Sequence, residues 1–123
     1  MSGDSQAYRV LLVEDDPSVR SLLVRLLGRR FDVVAAAEAT EALRLMVESG
    51  FDMVVSDYQM PGRDGVWLLG EVSSKYPSTR RVLISGIVAD EFQRHIDSGL
   101  VHLFLQKPLE PESVSVLQAV LKL

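Results

Sequence analysis

The sequence predicts a single α/β domain, a five-stranded parallel sheet with helices on both faces. Three observations predict it. Short apolar, β-branched runs alternate with segments of helical period along the chain. Glycine or proline marks most of the junctions. The chain has 123 residues, which suffices for one compact domain, 1–123, with a core from about Tyr8 to Leu121.

Arg9-Val10-Leu11-Leu12-Val13 is the first strand. Asp16 then caps a helix whose first position is Pro17, where a missing N–H costs nothing. Val19, Leu22, Leu23, Leu26 and Leu27 form its apolar stripe and Gly28 closes it. Phe31 to Ala36 is the second strand. Ala39, Ala42, Leu43, Met46 and Val47 fit one helical face, stopped at Gly50. Asp52 to Ser56 is the third strand, running into Asp57 and a turn from Met60 to Gly65. The next helix passes through Trp67, Leu68 and Leu69 and ends before Pro77. Arg81 to Ile84 is the fourth strand. Phe92 and Ile96 mark a fourth helix, stopped by Gly99. His102 to Leu105 is the fifth strand, and Pro111 opens a last helix with Val114, Leu117 and Leu121 on its core side. Strands that alternate with helices imply a parallel sheet buried on both faces.

The net charge of −4 gives no electrostatic footprint for nucleic acid, so no direct contact with it is expected. The absence of cysteine excludes disulfides, thiolate catalysis and cysteine-bound zinc. The stretch from Met1 to Tyr8 is polar and lacks the apolar core of a signal peptide. No apolar run is long enough to span a bilayer, so a cytoplasmic protein without membrane contact is expected.

In an open α/β sheet, sites form beyond the carboxyl ends of the strands, where the strand order reverses. Glu14 and Asp15 follow the first strand, Asp57 the third, Ser85 the fourth and Lys107 the fifth. The flavodoxin-like order 2-1-3-4-5 would gather Glu14, Asp15 and Asp57 into one acidic pocket. Crowded carboxylates need a cation, and oxygen ligands suit Mg²⁺. A carboxylate can act as a nucleophile toward phosphorus. Lys107 supplies a mobile point charge and Ser85 a hydrogen-bond donor.

Each piece has an ordinary reading by itself. Acids before Pro17 are helix caps at least as often, Asp57 beside a turn is a turn residue, and Lys107 is a solvated cation. The joint placement at successive strand ends carries the signal. His95 reads as a helix-surface residue and His102 as a strand-edge one, with no ligand-spaced partner. Met46 and Phe92 read as core, and Trp67 as packed on its own helix.

From about Tyr8 to Leu121 the chain resembles the receiver domains of two-component response regulators. The resemblance lies in Val10-Leu11-Leu12-Val13-Glu14-Asp15-Asp16, in Asp57 through Gly65, in Leu83-Ile84-Ser85-Gly86 and in Phe104-Leu105-Gln106-Lys107-Pro108. It implies that Asp57 accepts a phosphoryl group from a histidine kinase or a histidine phosphotransfer protein. It also implies that Asp15 and Asp57 ligate Mg²⁺ with the backbone carbonyl of Gln59, Glu14 acting mainly through water. Lys107 would contact the phosphoryl group, across a cis Lys107–Pro108 peptide. Ser85 would move toward the phosphate and Phe104 would turn inward behind it. The fourth helix, fifth strand and fifth helix would form the readout face. Such a domain is a switch that assists its own phosphorylation and dephosphorylation, not a turnover enzyme. An output domain, a downstream protein and a homodimer are all compatible with it. Gln106 departs from the family, where a small residue commonly precedes the lysine. The last helix lacks the basic residues used for dimerisation in the winged-helix branch.

Three other readings compete with this one. A phosphatase of the haloacid-dehalogenase type would want an acid two residues after the nucleophile, where Gln59 stands. A flavin-binding relative would want a Ser/Thr/Gly loop after the first strand, where Glu14-Asp15-Asp16 would repel a phosphate. A degenerate receiver acting by protein interaction alone is the third alternative.

Overall fold

The computed structural model describes residues 7–123. The polar start of the chain, read above as lacking a signal peptide, lies outside them up to Gln6. The described residues form β1 (Arg9–Val13), α1 (Pro17–Leu27), β2 (Asp32–Ala36), α2 (Ala39–Glu48), β3 (Met53–Asp57), α3 (Gly65–Lys75), β4 (Arg80–Ser85), α4 (Asp90–Asp97), β5 (Leu103–Gln106) and α5 (Pro111–Leu121). All strand pairs are parallel and the order is β2-β1-β3-β4-β5, as expected. Among the described residues, no helix is long and apolar enough to cross a membrane.

Alternate residues of each strand feed the two faces of the sheet. Val10, Leu12, Met53, Val55, Val82 and Ile84 pack with α1 and α5 through Leu23, Leu27, Val114, Leu117 and Val120. Leu11, Val13, Val54 and Leu83 face the other way, toward α2, α3 and α4. The three central strands are thus apolar on both sides, which explains their unbroken hydrophobic runs.

The expected caps and stops hold with local differences. Asp16 accepts hydrogen bonds from the Ser18 and Val19 amides at the start of α1. Gly28 follows the last residue of α1 but in right-handed geometry, φ −63°. Gly99, by contrast, adopts φ +83°, which suits a residue without a side chain. Leu22 and Val47, counted on the core faces of their helices, are exposed at 63% and 79%. Each lies at the margin of its stripe, beyond the reach of the sheet. On α5 the third buried residue is Val120, with Leu121 half-buried beside it. The third strand extends one residue further than expected, so Asp57 is itself a strand residue paired with Ile84.

Candidate functional site at the carboxyl ends of the strands

The strand order puts β1 and β3 side by side, with Val13 opposite Ser56. The residues that follow them therefore emerge together. Glu14, Asp15 and Asp57 each offer a carboxylate oxygen, and these oxygens lie within 4.8 Å of one another. Glu14 is 1% exposed and Asp57 6%, so two of the three are withdrawn from water.

Lys107 reaches this cluster from the far end of β5. Its Nζ lies 2.8 Å from Glu14 Oε1 and 3.1 Å from Asp57 Oδ1. Glu14 Oε1 is buried and has no aligned hydrogen-bond donor, so the ammonium charge is what compensates it. The Lys107–Pro108 peptide is cis, as expected. The Lys107 amide donates to the Ser85 carbonyl at 2.8 Å, tying the end of β5 to the end of β4.

Burial pushes the Asp57 carboxyl up to about 6, a rise supported by Glu14 and Asp15 and opposed by Lys107. It is therefore mostly ionised at pH 7. Burial alone would lower the Lys107 ammonium, but its bonds to Glu14 and Asp57 outweigh that, and its pKa is raised.

Ser85 is buried, and its hydroxyl oxygen accepts from the Ile87 amide at 3.1 Å. Phe104 is half-buried on β5, opposite Leu83, with its ring centroid 4.9 Å from that of Phe92. Gln59 is exposed in the loop after β3. Glu14, Asp15, Asp57, Gln59, Ser85 and Lys107 thus lie at or next to the carboxyl edge of the sheet.

Three supporting residues were not singled out. Arg20, on α1, donates to the backbone carbonyls of Glu14 at 3.0 Å and Asp15 at 3.4 Å, holding the acidic loop from behind. A Cβ at Gly65 would stand 2.2 Å from the Asp57 carbonyl oxygen and 3.0 Å from Leu83 Cδ1, so only glycine lets α3 begin there. Tyr58 presses on Phe92, with ring centroids 4.9 Å apart and planes at 75°. Of these, Gly65 had a sequence signal, its place closing a turn directly before a helix. The other two depend on contacts between distant segments.

His102 stands at the opening of β5, an edge strand, as its reading has it. Its Nδ1 accepts the Arg81 amide at 2.9 Å, so it locks the opening of β5 to β4. It lies at the opposite end of the sheet from the carboxylates. His95 is half-buried on α4.

Three clustered carboxylates are a hard, all-oxygen donor set. They fit Mg²⁺ or a similar ion, whose charge would offset their mutual repulsion.

Comparison with known proteins decides the family. The sequence model of the response regulator receiver domain matches residues 10–118. This chain belongs to the response regulator receiver domain family. The receiver domain is 42% identical over 107 residues to the sensor kinase CckA of Brucella abortus, covering 85% of this chain and 11% of that protein. It is 31% identical over 120 residues to the hydrogenase transcriptional regulatory protein HoxA of Cupriavidus necator, covering 95% of this chain and 25% of the other. The chain thus spans a quarter or less of these relatives. In structure it matches the chemotaxis protein CheY4 of Vibrio cholerae at TM-score 0.85 and 28% identity, over 93% of this chain and 98% of that one. It also matches the receiver domain of an HD domain-containing protein from Pseudomonas fluorescens at TM-score 0.87 and 28% identity, over 95% and 96% of the two chains. The receiver fold is that of a signalling module of two-component systems.

Proposed function

We propose that this receiver domain is a phosphorylation-driven switch with Asp57 as its acceptor. The observation that carries the proposal is the Lys107 ammonium seated between Glu14 and Asp57, beside a third carboxylate. A carboxylate oxygen of Asp57 attacks the phosphorus of a phosphohistidine on a histidine kinase or histidine phosphotransfer protein. The new P–O bond forms as the P–N bond breaks, and the histidine leaves with the electron pair. Asp57 is ready as a nucleophile because its carboxyl, at about 6, has lost its proton at neutral pH.

Lys107 keeps its charge and can transfer one contact from Asp57 to an oxygen of the incoming phosphoryl group. Asp15, Asp57 and the backbone carbonyl of Gln59 would hold Mg²⁺, with Glu14 acting mainly through water. The ion supplies charge neutralisation at the phosphoryl oxygens. Ser85 is placed to turn its hydroxyl toward the phosphate, because its present contact uses the oxygen as an acceptor and leaves the O–H free to donate. Phe104 moves inward behind it, and the face made by α4, β5 and α5 carries the change to a partner or output domain. The domain works inside the cell as one unit, residues 1–123, and assists both gain and loss of its own phosphate.

The test is incubation with Mg²⁺ and acetyl phosphate, followed by intact mass. A single Mg²⁺-dependent adduct of one phosphoryl group is expected, absent in Asp57→Asn. In Lys107→Ala the switching response to phosphorylation should be lost; an intact response would remove the role given to Lys107. No adduct from acetyl phosphate or from a kinase-derived donor would favour a receiver that acts by binding alone.

A further inference from the structure

We propose that Tyr58 is a positioning residue that seats α4 against the acceptor strand, acting through Phe92. The inference rests on the switch reading of Asp57 and names a second route from that site to α4. Tyr58 directly follows Asp57 in the chain. Its backbone is fixed on both sides: its amide donates to the Ile84 carbonyl and its carbonyl accepts from the Gly65 amide, each at 2.8 Å. Gly65 in turn lies under the Asp57 carbonyl, where no Cβ could fit. The position of the Tyr58 ring is therefore tied to the backbone of the acceptor.

That ring packs on Phe92 of α4, and Glu91 of the same helix lies near its hydroxyl. Among the described residues of α4, Phe92 is the fully buried one, with Ile96 half-buried beside it. Tyr58 approaches the Phe92 ring edge-on, with centroids 4.9 Å apart and planes at 75°. Phe104 of β5 lies against the same ring at 4.9 Å and 42°. Phe92 is thus shared by two aromatic neighbours, one directly after β3 and one from β5. Edge-on pairs prefer a narrow range of geometry, so a shift of one ring is passed to its neighbour. Phe92 is the fully buried residue of α4, so the helix follows where that ring is pressed. Movement at the β3–α3 junction on phosphorylation reaches α4 through Tyr58 without passing through Ser85.

The experiment compares wild type, Tyr58→Phe, Tyr58→Leu and Phe92→Leu as the 123-residue chain. Each is treated with Mg²⁺ and acetyl phosphate. Intact mass reports the adduct, and amide chemical shifts report the response of Asp90 to Asp97 and, separately, of Ser85 and Lys107. Tyr58→Phe keeps the ring and removes only the hydroxyl near Glu91, so an α4 response close to wild type is expected from it. Tyr58→Leu should take the adduct and keep the Ser85 and Lys107 shifts, while its α4 shift changes fall by more than half. Phe92→Leu should reproduce that loss from the other side of the contact. An α4 response equal to wild type in a phosphorylated, folded Tyr58→Leu overturns the inference and leaves Asp57 as acceptor. A variant that folds poorly is replaced by Tyr58→Met and read in the same way. A wild-type chain without an adduct overturns the acceptor reading, and this inference with it.

Discussion

Burial raises the Asp57 carboxyl from 3.8 to about 6, so at pH 7 the metal-free domain carries an ion that its own fold disfavours. A raised folded pKa means that the protonated form is favoured on folding. The stabilising contribution is complete below 3.8 and disappears as pH rises through about 6. The difference corresponds to about 3 kcal/mol at most. Asp57→Asn should therefore stabilise the metal-free domain by about 1–3 kcal/mol at pH 7 and by much less at pH 4. Urea unfolding in a chelating buffer at both values measures it. A gain of equal size at the two values would show that charge is not its source. The acceptor role proposed for Asp57 and its cost to stability have one origin, the withdrawal of a carboxylate from water.

Among the elements, the junction of β4, α4 and β5 depends on a single cation. Arg81 is 4% exposed, and its guanidinium donates to the carbonyls of Pro77, Thr79, Gly99 and Leu100 at 2.8–3.1 Å. Those carbonyls belong to the turn before β4 and the turn after α4, and Gly99 supplies the left-handed bend between them. Arg81→Met should cost about 2–4 kcal/mol, because it leaves the buried Thr79 carbonyl and three part-buried ones without this donor. Arg81→Lys should recover little of that, since an ammonium cannot match the planar fork. Unfolding midpoints of both variants test this, and a near-neutral Arg81→Met would show that water replaces the fork. In the sequence Arg81 is one half of the basic pair Arg80-Arg81. Its neighbour Arg80 does remain half-buried, with Nε donating to the Val120 carbonyl at 3.2 Å. Nothing local separates the two residues; the alternation of the strand and the position of the α4–β5 turn decide which one goes inside. Leu22 and Val47 failed for the related reason that periodicity marks a face and not its edge. The strand ends bearing Glu14, Asp57 and Lys107 were legible because strand order alone brings them together. Arg20 and the Tyr58–Phe92 contact were not, since side chains from separate segments must meet to reveal them.

Across the whole molecule, the two ends of the sheet respond to acid in opposite directions. At the carboxyl end, acidification relieves Asp57. At the other end, burial lowers the pKa of His102, helped by Arg81 and Arg80, and its Nδ1 must stay unprotonated to accept the Arg81 amide. A lowered folded pKa gives stability that is present above 6.5 and is lost as pH falls through the folded value. In metal-free buffer, Asp57→Asn should therefore lose stability on acidification below 6.5 more steeply than wild type. His102→Gln should lose less than wild type. Urea midpoints from pH 4 to 7 check both, and two variants with the wild-type slope would refute the assignment.

The order in which the chain is made adds a consequence of the Lys107 contact. A growing polypeptide emerges with its N-terminal side first, while a domain generally folds as a unit. Glu14, Asp15 and Asp57 leave the ribosome long before Lys107, the residue that neutralises two of them. A nascent chain holding β1 to β4 thus carries the full repulsion of the carboxylates, and the edge of β4 waits for β5. The same emerging segment supplies the missing strand and the missing charge. Completion of the sheet and neutralisation of the pocket are then one event in synthesis, and a chain cut short at that point is disfavoured on both counts.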